Sequence, residues 1–138
     1  MECHLIFTVR KYCDEDYETL KEWWQDKQQV TVPEEMFPKE STFVCEIDGN
    51  PMLSIIAYLT NCKRAAWLEA LIANPVLEDK VLRREAGEFM IAHIESFLKD
   101  LGYKNVFCVS PNKYLAMRYN NVGYKTVFSD ACLMFKEL

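Results

Sequence analysis

The chain lacks the features that would take it out of the ordinary globular class. No run approaches the roughly 18 apolar residues of a membrane-spanning helix. The opening Met1-Glu2-Cys3-His4 lacks the basic-then-apolar layout of a signal peptide. There are two histidines, His4 and His93, and no CxxC or HxxxH pairing, so no metal site is expected. His93 falls in mid-helix on the flank of an apolar face and reads as a half-buried structural residue. No GxSxG, P-loop lysine motif or dinucleotide fingerprint is present. Positive charge is also short, with 16 basic against 21 acidic residues and a net charge of -5. This argues against a nucleic-acid partner, which needs a basic surface. A cationic or amine partner remains compatible with it.

A length of 138 residues suits one domain, 1–138, with a real core. Half the residues are hydrophobic and 27% are charged, as in a water-soluble fold. The six cysteines, at 3, 13, 45, 62, 108 and 132, are widely spaced. Those at 45, 108 and 132 sit in apolar strand-like runs, where a free thiol behaves as a small hydrophobe. Without an export signal, reduced thiols in a cytoplasm are expected.

Residues 5–10 read as a first strand. Asp14 or Asp16 can cap the helix that follows, whose apolar stripe is Tyr17, Leu20, Trp23 and Trp24 and which should fade around 27–29. Residues 31–41 form a loop with one helical turn at 34–37. A strand at 42–47 and one at 52–59 flank Asp48-Gly49-Asn50, a strong hairpin signal. After a turn at 61–64, the apolar stretch 66–73 is a central strand ended by Asn74-Pro75, and 76–82 is a polar connection. The best helix is 87–101, with Met90, Ile91, Ile94, Phe97, Leu98 and Leu101 on one face and Gly102 as its stop. A strand at 105–109, a short helix at 113–122 and strands at 124–128 and 131–135 complete the chain. The order is an α+β layout with one central mixed, mostly antiparallel sheet flanked by helices.

The most specific stretch is Pro111-Asn112 through Tyr119 to Gly123-Tyr124, a short helix punctuated by an Asn start and a Gly stop. It resembles the last helix of the GCN5-related N-acetyltransferases (GNAT), with their pattern Asn-…-Tyr-x-x-x-Gly-Phe. Leu71-Ile72-Ala73-Asn74-Pro75 is similar to that family's fourth strand with its terminal x-Pro, and the element order agrees along nearly the whole chain. The resemblance implies a GNAT-like acyl-CoA N-acyltransferase fold, acetyl-CoA as cosubstrate, no metal and a small-molecule or peptide amine as acceptor. It leaves a homodimer open.

By the same resemblance, Tyr119 protonates the departing thiolate, the backbone N–H of Ala73 holds the acetyl carbonyl, and Asn112 bonds CoA near its pantetheine. From its residues alone, Tyr119 is equally a core tyrosine with a satisfied hydroxyl, and Asn112 a helix cap. Glu69 is the one ionisable residue of the apolar 66–73 strand. It stands four residues before Ala73, where some family members keep a glutamate base. Its other reading is a strand residue that faces solvent or pairs with a lysine. The pair Trp23-Trp24 either lines an acceptor pocket or belongs to the core.

The pyrophosphate loop departs from the family. A glycine-rich loop at the start of the long helix should offer backbone N–H groups to the phosphates. Here the stretch is Leu82-Arg83-Arg84-Glu85-Ala86-Gly87, in which only Gly87 matches and Glu85 stands in place of the first glycine. Arg83 and Arg84, with Ala86 and Gly87, are the residues expected to hold the phosphates. Worn loops of this kind resemble those of acetyltransferase-like proteins of bacteriophages and prophages, which would place the protein in a host cytoplasm. The rival expectation is a catalytically silent GNAT-like module that acts through protein contacts.

Overall fold

The computed structural model describes residues 4–110, 112–130 and 132–138. Its frame is a five-stranded sheet in the order β1-β2-β3-β4-β5. The strands are β1 Phe7–Lys11, β2 Thr42–Ile47, β3 Asn50–Leu59, β4 Ala65–Ala73 and β5 Asn105–Cys108. The first four pair antiparallel and β5 joins β4 in parallel, so the sheet is mixed and mostly antiparallel, as expected. Asp48 and Gly49 both take positive φ (51° and 82°) at the β2–β3 turn. That is what a tight two-residue hairpin turn demands.

Helices cover both faces. Helix α1 (Tyr17–Asp26) buries Leu20, Trp23 and Trp24 against Ile56 and Ile72. Both tryptophans are core, and Trp24 meets Phe37 edge to face at 5.7 Å. Neither aspartate caps α1 with its side chain. Asp16 instead binds the Arg10 fork through two 2.8 Å bonds and accepts from the Cys13 N–H at 2.9 Å. Asp14 pairs with Lys39 at 2.7 Å. The 31–41 loop holds two short 3-10 turns, Glu34–Met36 and Lys39–Ser41, rather than one turn.

The opposite face carries helix α2, Lys80–Asp100, and helix α3, Lys113–Asn121. Ala86, Met90, Ile91, Ile94 and Leu98 of α2 pack on Phe43, Cys45, Leu53 and Leu68 of the sheet. Each fully buried Leu, Ile or Met here contributes roughly 2–3 kcal/mol. His93 is exposed rather than half-buried, with its ring edge-on to Phe43. No helix among the described residues is long and apolar enough to cross a membrane.

Three expectations are corrected. First, α2 begins at Lys80 and not at Gly87, so the polar connection is short. Asp79 caps the helix by accepting from the Val81 and Leu82 N–H groups at 3.0 and 3.1 Å. The cap and the spacing Leu82, Ala86, Met90 carry the helix back a further two turns. Second, the strands at 124–128 and 131–135 do not form. Ala131 lies outside the described residues, and residues 125–130 and 132–138 are exposed, Phe128 and Phe135 among them. Strand propensity alone does not make a ladder when one face has nothing to pack against. Third, Cys132 is therefore exposed, unlike buried Cys45 and half-buried Cys108.

Because α2 starts early, Gly87 sits inside a helix, and a Cβ built on it meets nothing within 4 Å. Gly87→Ala should stabilise the protein by up to about 1 kcal/mol, or roughly 3–5 °C in Tm. Calorimetric melting checks this. A fall in Tm would return Gly87 to a special backbone role.

Candidate active site

The site grows from the end of the β4–β5 ladder. β5 pairs with β4 only from Ala65↔Asn105 to Leu68↔Cys108. Beyond Leu68, β4 continues beside β3 while its other edge is left open. Opposite Ile55 of β3, β4 carries two residues, Ala70 and Leu71, a bulge in which Ala70 takes φ 56°. A Cβ-bearing residue held in the left-handed region costs about 1–2 kcal/mol, and such bulges re-aim a strand next to functional sites.

The parting opens a cleft of ≈ 390 Å³ lined by Leu71, Ile72 and Ala73 of β4, Leu53 of β3, and residues from all three helical regions. Asn74 donates its N–H to the Met52 carbonyl at 2.7 Å. By strand alternation the N–H of Ala73, which stands opposite Leu53, points away from β3 and into the gap. Ala73 thus lines the cleft, and its N–H has no backbone partner among the described residues.

Helix α3 forms the floor. Asn112 caps it, its Oδ1 accepting from the Leu115 N–H at 2.9 Å, and it also lines the cleft. The capping reading of Asn112 holds, and the cap uses Oδ1. Gly123 ends the helix at φ 102°, and the Tyr124 N–H returns to the Tyr119 carbonyl at 3.0 Å. That stop folds Tyr124 back on Tyr119, ring centroids 5.2 Å apart.

Tyr119 is 3% exposed. Burial, with Cys108 close by, pushes its phenol well above the ordinary range, so it stays protonated. Cys108 is the last residue of β5 to pair with β4, so Tyr119 packs near the point where the strands part, but it belongs to the core and does not line the cleft. The Tyr124 hydroxyl is buried with no hydrogen-bond partner among the described residues. Its pKa is raised by burial and then by nearby Glu95. Burial also pushes the Cys108 thiol up to about 11.

Glu69 pairs with Ile56, which belongs to the α1 side of the sheet, so it stands on the face opposite Tyr119. It is half-buried, forms no ion pair among the described residues, and burial raises its pKa. The lysine pairing considered from the sequence is not found.

The expected loop residues separate. Arg83 lines the cleft and donates Nε at 3.1 Å, and Nη2 also, to the Leu77 carbonyl. Arg84 and Glu85 are exposed on α2 and do not line the cleft. Ala86 and Gly87 are buried two turns inside the helix, where their N–H groups bond the carbonyls of Leu82 and Arg83. They are not at a helix start, and their amides are not free for phosphate. Trp23 and Trp24 do not line the cleft either.

Sequence reasoning passed over Lys27, Lys80 and Arg118, all of which line the cleft. Asp79 followed by helix-spaced Leu82 and Ala86 was the available signal for Lys80. Nothing local marks Arg118. Among the described residues no group of three or more His, Cys, Asp or Glu could hold a metal ion.

No protein-family model matches the sequence, and no curated protein matches it. Solved structures do. The chain is similar to N-acetylglutamate synthase from Neisseria gonorrhoeae, crystallised with coenzyme A and L-arginine. There the TM-score is 0.73 at 17% identity, over 93% of this chain but only 29% of that one. A transcriptional regulator from Bacillus halodurans C-125 gives a TM-score of 0.69 at 16% identity, over 94% of this chain and 100% of that one. An aminoglycoside acetyltransferase from an uncultured soil metagenomic sample, in complex with trehalose, gives 0.66 at 12%, over 96% of both chains.

The raised Glu69 pKa makes a stability prediction with a definite sign. A carboxyl whose folded pKa lies above its unfolded value, about 4.3, favours the folded state at low pH. That advantage is lost as pH rises through the folded pKa. Glu69→Gln should therefore raise Tm at pH 7 and leave it unchanged near pH 4. A lower Tm at pH 7 would mean that the carboxylate has a stabilising partner.

Proposed function

Starting from the N-acetyltransferase fold of this chain, we propose that it transfers an acyl group directly from acetyl-CoA to the nitrogen of a small-molecule or peptide amine. The observation that carries this reading is the open cleft where β4 parts from β5, with the Ala73 N–H turned toward it and Tyr119 buried behind its α3 wall, near Cys108. A thioester laid along the gap would place its carbonyl oxygen on the Ala73 amide. There a donor fixed by the sheet needs no reorganisation as negative charge develops.

The chain's residues divide the proton work by sheet face. Glu69, on the α1 side, accepts a proton from the incoming ammonium, directly or through water, and its raised pKa suits that task. The freed amine attacks the acetyl carbonyl, the C–N bond forms, and the oxyanion rests on Ala73. As the C–S bond breaks, the thiolate takes the proton of the Tyr119 hydroxyl, which solvent later restores. The attacking nitrogen gives up its last extra proton to solvent as the amide forms, and Glu69 releases its own to solvent before the next turnover. An unfilled gap supports the enzyme over the silent module, which would have its cleft closed by side chains.

Thermal shift and calorimetric titration with acetyl-CoA test the reading, and absence of any response at millimolar ligand would reject it. With an acceptor found by screening amines, Tyr119→Phe should lower kcat by something like 10²-fold with acetyl-CoA affinity nearly intact. An unchanged rate removes Tyr119 from the mechanism.

A further inference from the structure

The chain is acidic overall, yet one wall of the cleft is not. Lys80 and Arg83 at the start of α2 and Arg118 on α3 all line it, and exposed Arg84 lies close enough to act on Arg118. None of these four belongs to an ion pair among the described residues. Arg118 is half-buried, and burial, then Arg83 and Arg84, hold its pKa below the ordinary range. Like charges gathered at a partly desolvated wall repel one another and disfavour the ligand-free fold. A bound anion would reverse that sign.

The backbone offers no alternative anion site at this point. The Asp79 carboxylate already accepts from the Val81 and Leu82 N–H groups, so the start of α2 is filled by an internal anion. The Ala86 and Gly87 amides are consumed within the helix. Arg83 is braced by its bonds to the Leu77 carbonyl, which fixes the plane of its guanidinium beside the cleft. Arginine forks held in this way suit the paired oxygens of a phosphoanhydride.

We propose that Arg118, with Arg83 and Lys80, forms a side-chain cradle for a pyrophosphate group, taking over the task of a backbone loop. It rests on the acyl-CoA reading for the identity of the full ligand, but the cradle itself requires only a pyrophosphate. Arg118 would be its central residue, because it is the basic side chain that lines the cleft from α3 and so couples that helix to the start of α2.

Calorimetric titration with three probes tests this: inorganic pyrophosphate, acetyl-CoA and phosphate-free S-acetylpantetheine. The intact protein should bind pyrophosphate, with affinity falling as salt rises. Arg118→Ala should weaken pyrophosphate and acetyl-CoA by roughly tenfold or more and leave S-acetylpantetheine unchanged, while Arg118→Lys should keep part of the affinity. Lys99→Ala, at the far end of α2, should change none of the three. No pyrophosphate binding by the intact protein, an equal loss for all three probes, or an equal loss on Lys99→Ala would overturn the cradle. Pyrophosphate binding that Arg118→Ala abolishes, in a protein that ignores acetyl-CoA, would uphold the cradle and reject the acyl-CoA reading. Retained Tm in each variant shows that the fold is intact.

Discussion

The structure depends on one constraint, the sharing of β4 between two neighbours of unequal length. β3 runs beside it to its last residue, and β5 accompanies it for only four residue pairs. Backbone groups beyond Leu68 would normally need a partner, because an unpaired N–H in a sheet is costly. Here they border a cleft instead. The bulge at Ala70 makes the transition by turning β4 at the place where the second ladder stops. The open edge beside Ala73 and the segregation of Glu69 to the other face both follow from that geometry.

The long helix imposes the second constraint. Its start at Lys80 puts Ala86 and Gly87 on the face that packs with Met90, Ile91 and Ile94, and leaves Lys80 and Arg83 at the cleft. Good packing and a free amide loop cannot both be built from residues 82–87. The chain has the packing, with Asp79 closing the helix end. Electrostatic work at the site therefore falls to side chains, which hold charge less rigidly than a backbone loop but tolerate a wider range of geometry. The Arg10–Asp16 pair on the other side of the sheet shows the ordinary arrangement, in which a buried carboxylate receives a guanidinium fork. The cleft arginines have no such partner among the described residues.

Much was legible in the sequence where the signal is local. The Asp48-Gly49 turn, β4 with its Asn74-Pro75 end, and α3 between Asn112 and Gly123 follow from turn chemistry, capping and periodicity. Each of those acts over a few residues. The α2 start was also written locally, in Asp79 and the Leu82-Ala86-Met90 spacing, but a glycine at 87 suggested a boundary that packing does not respect. Glycine inside a helix costs only about 1 kcal/mol, far less than the burial of the face around it.

By itself, then, the sequence determined the element types, the mixed sheet, the hairpin and the closing helix with its Asn112, Tyr119 and Gly123. Tertiary structure alone decided the rest. It determined whether 124–128 and the following stretch would pair as strands, since a ladder needs a second edge that no local pattern supplies. It determined which side of β4 would present the Ala73 amide, since that depends on the bulge and on where β5 stops. And it brought Arg118 to Arg83 and Lys80, because residues on two helices become neighbours only through the sheet that both pack against.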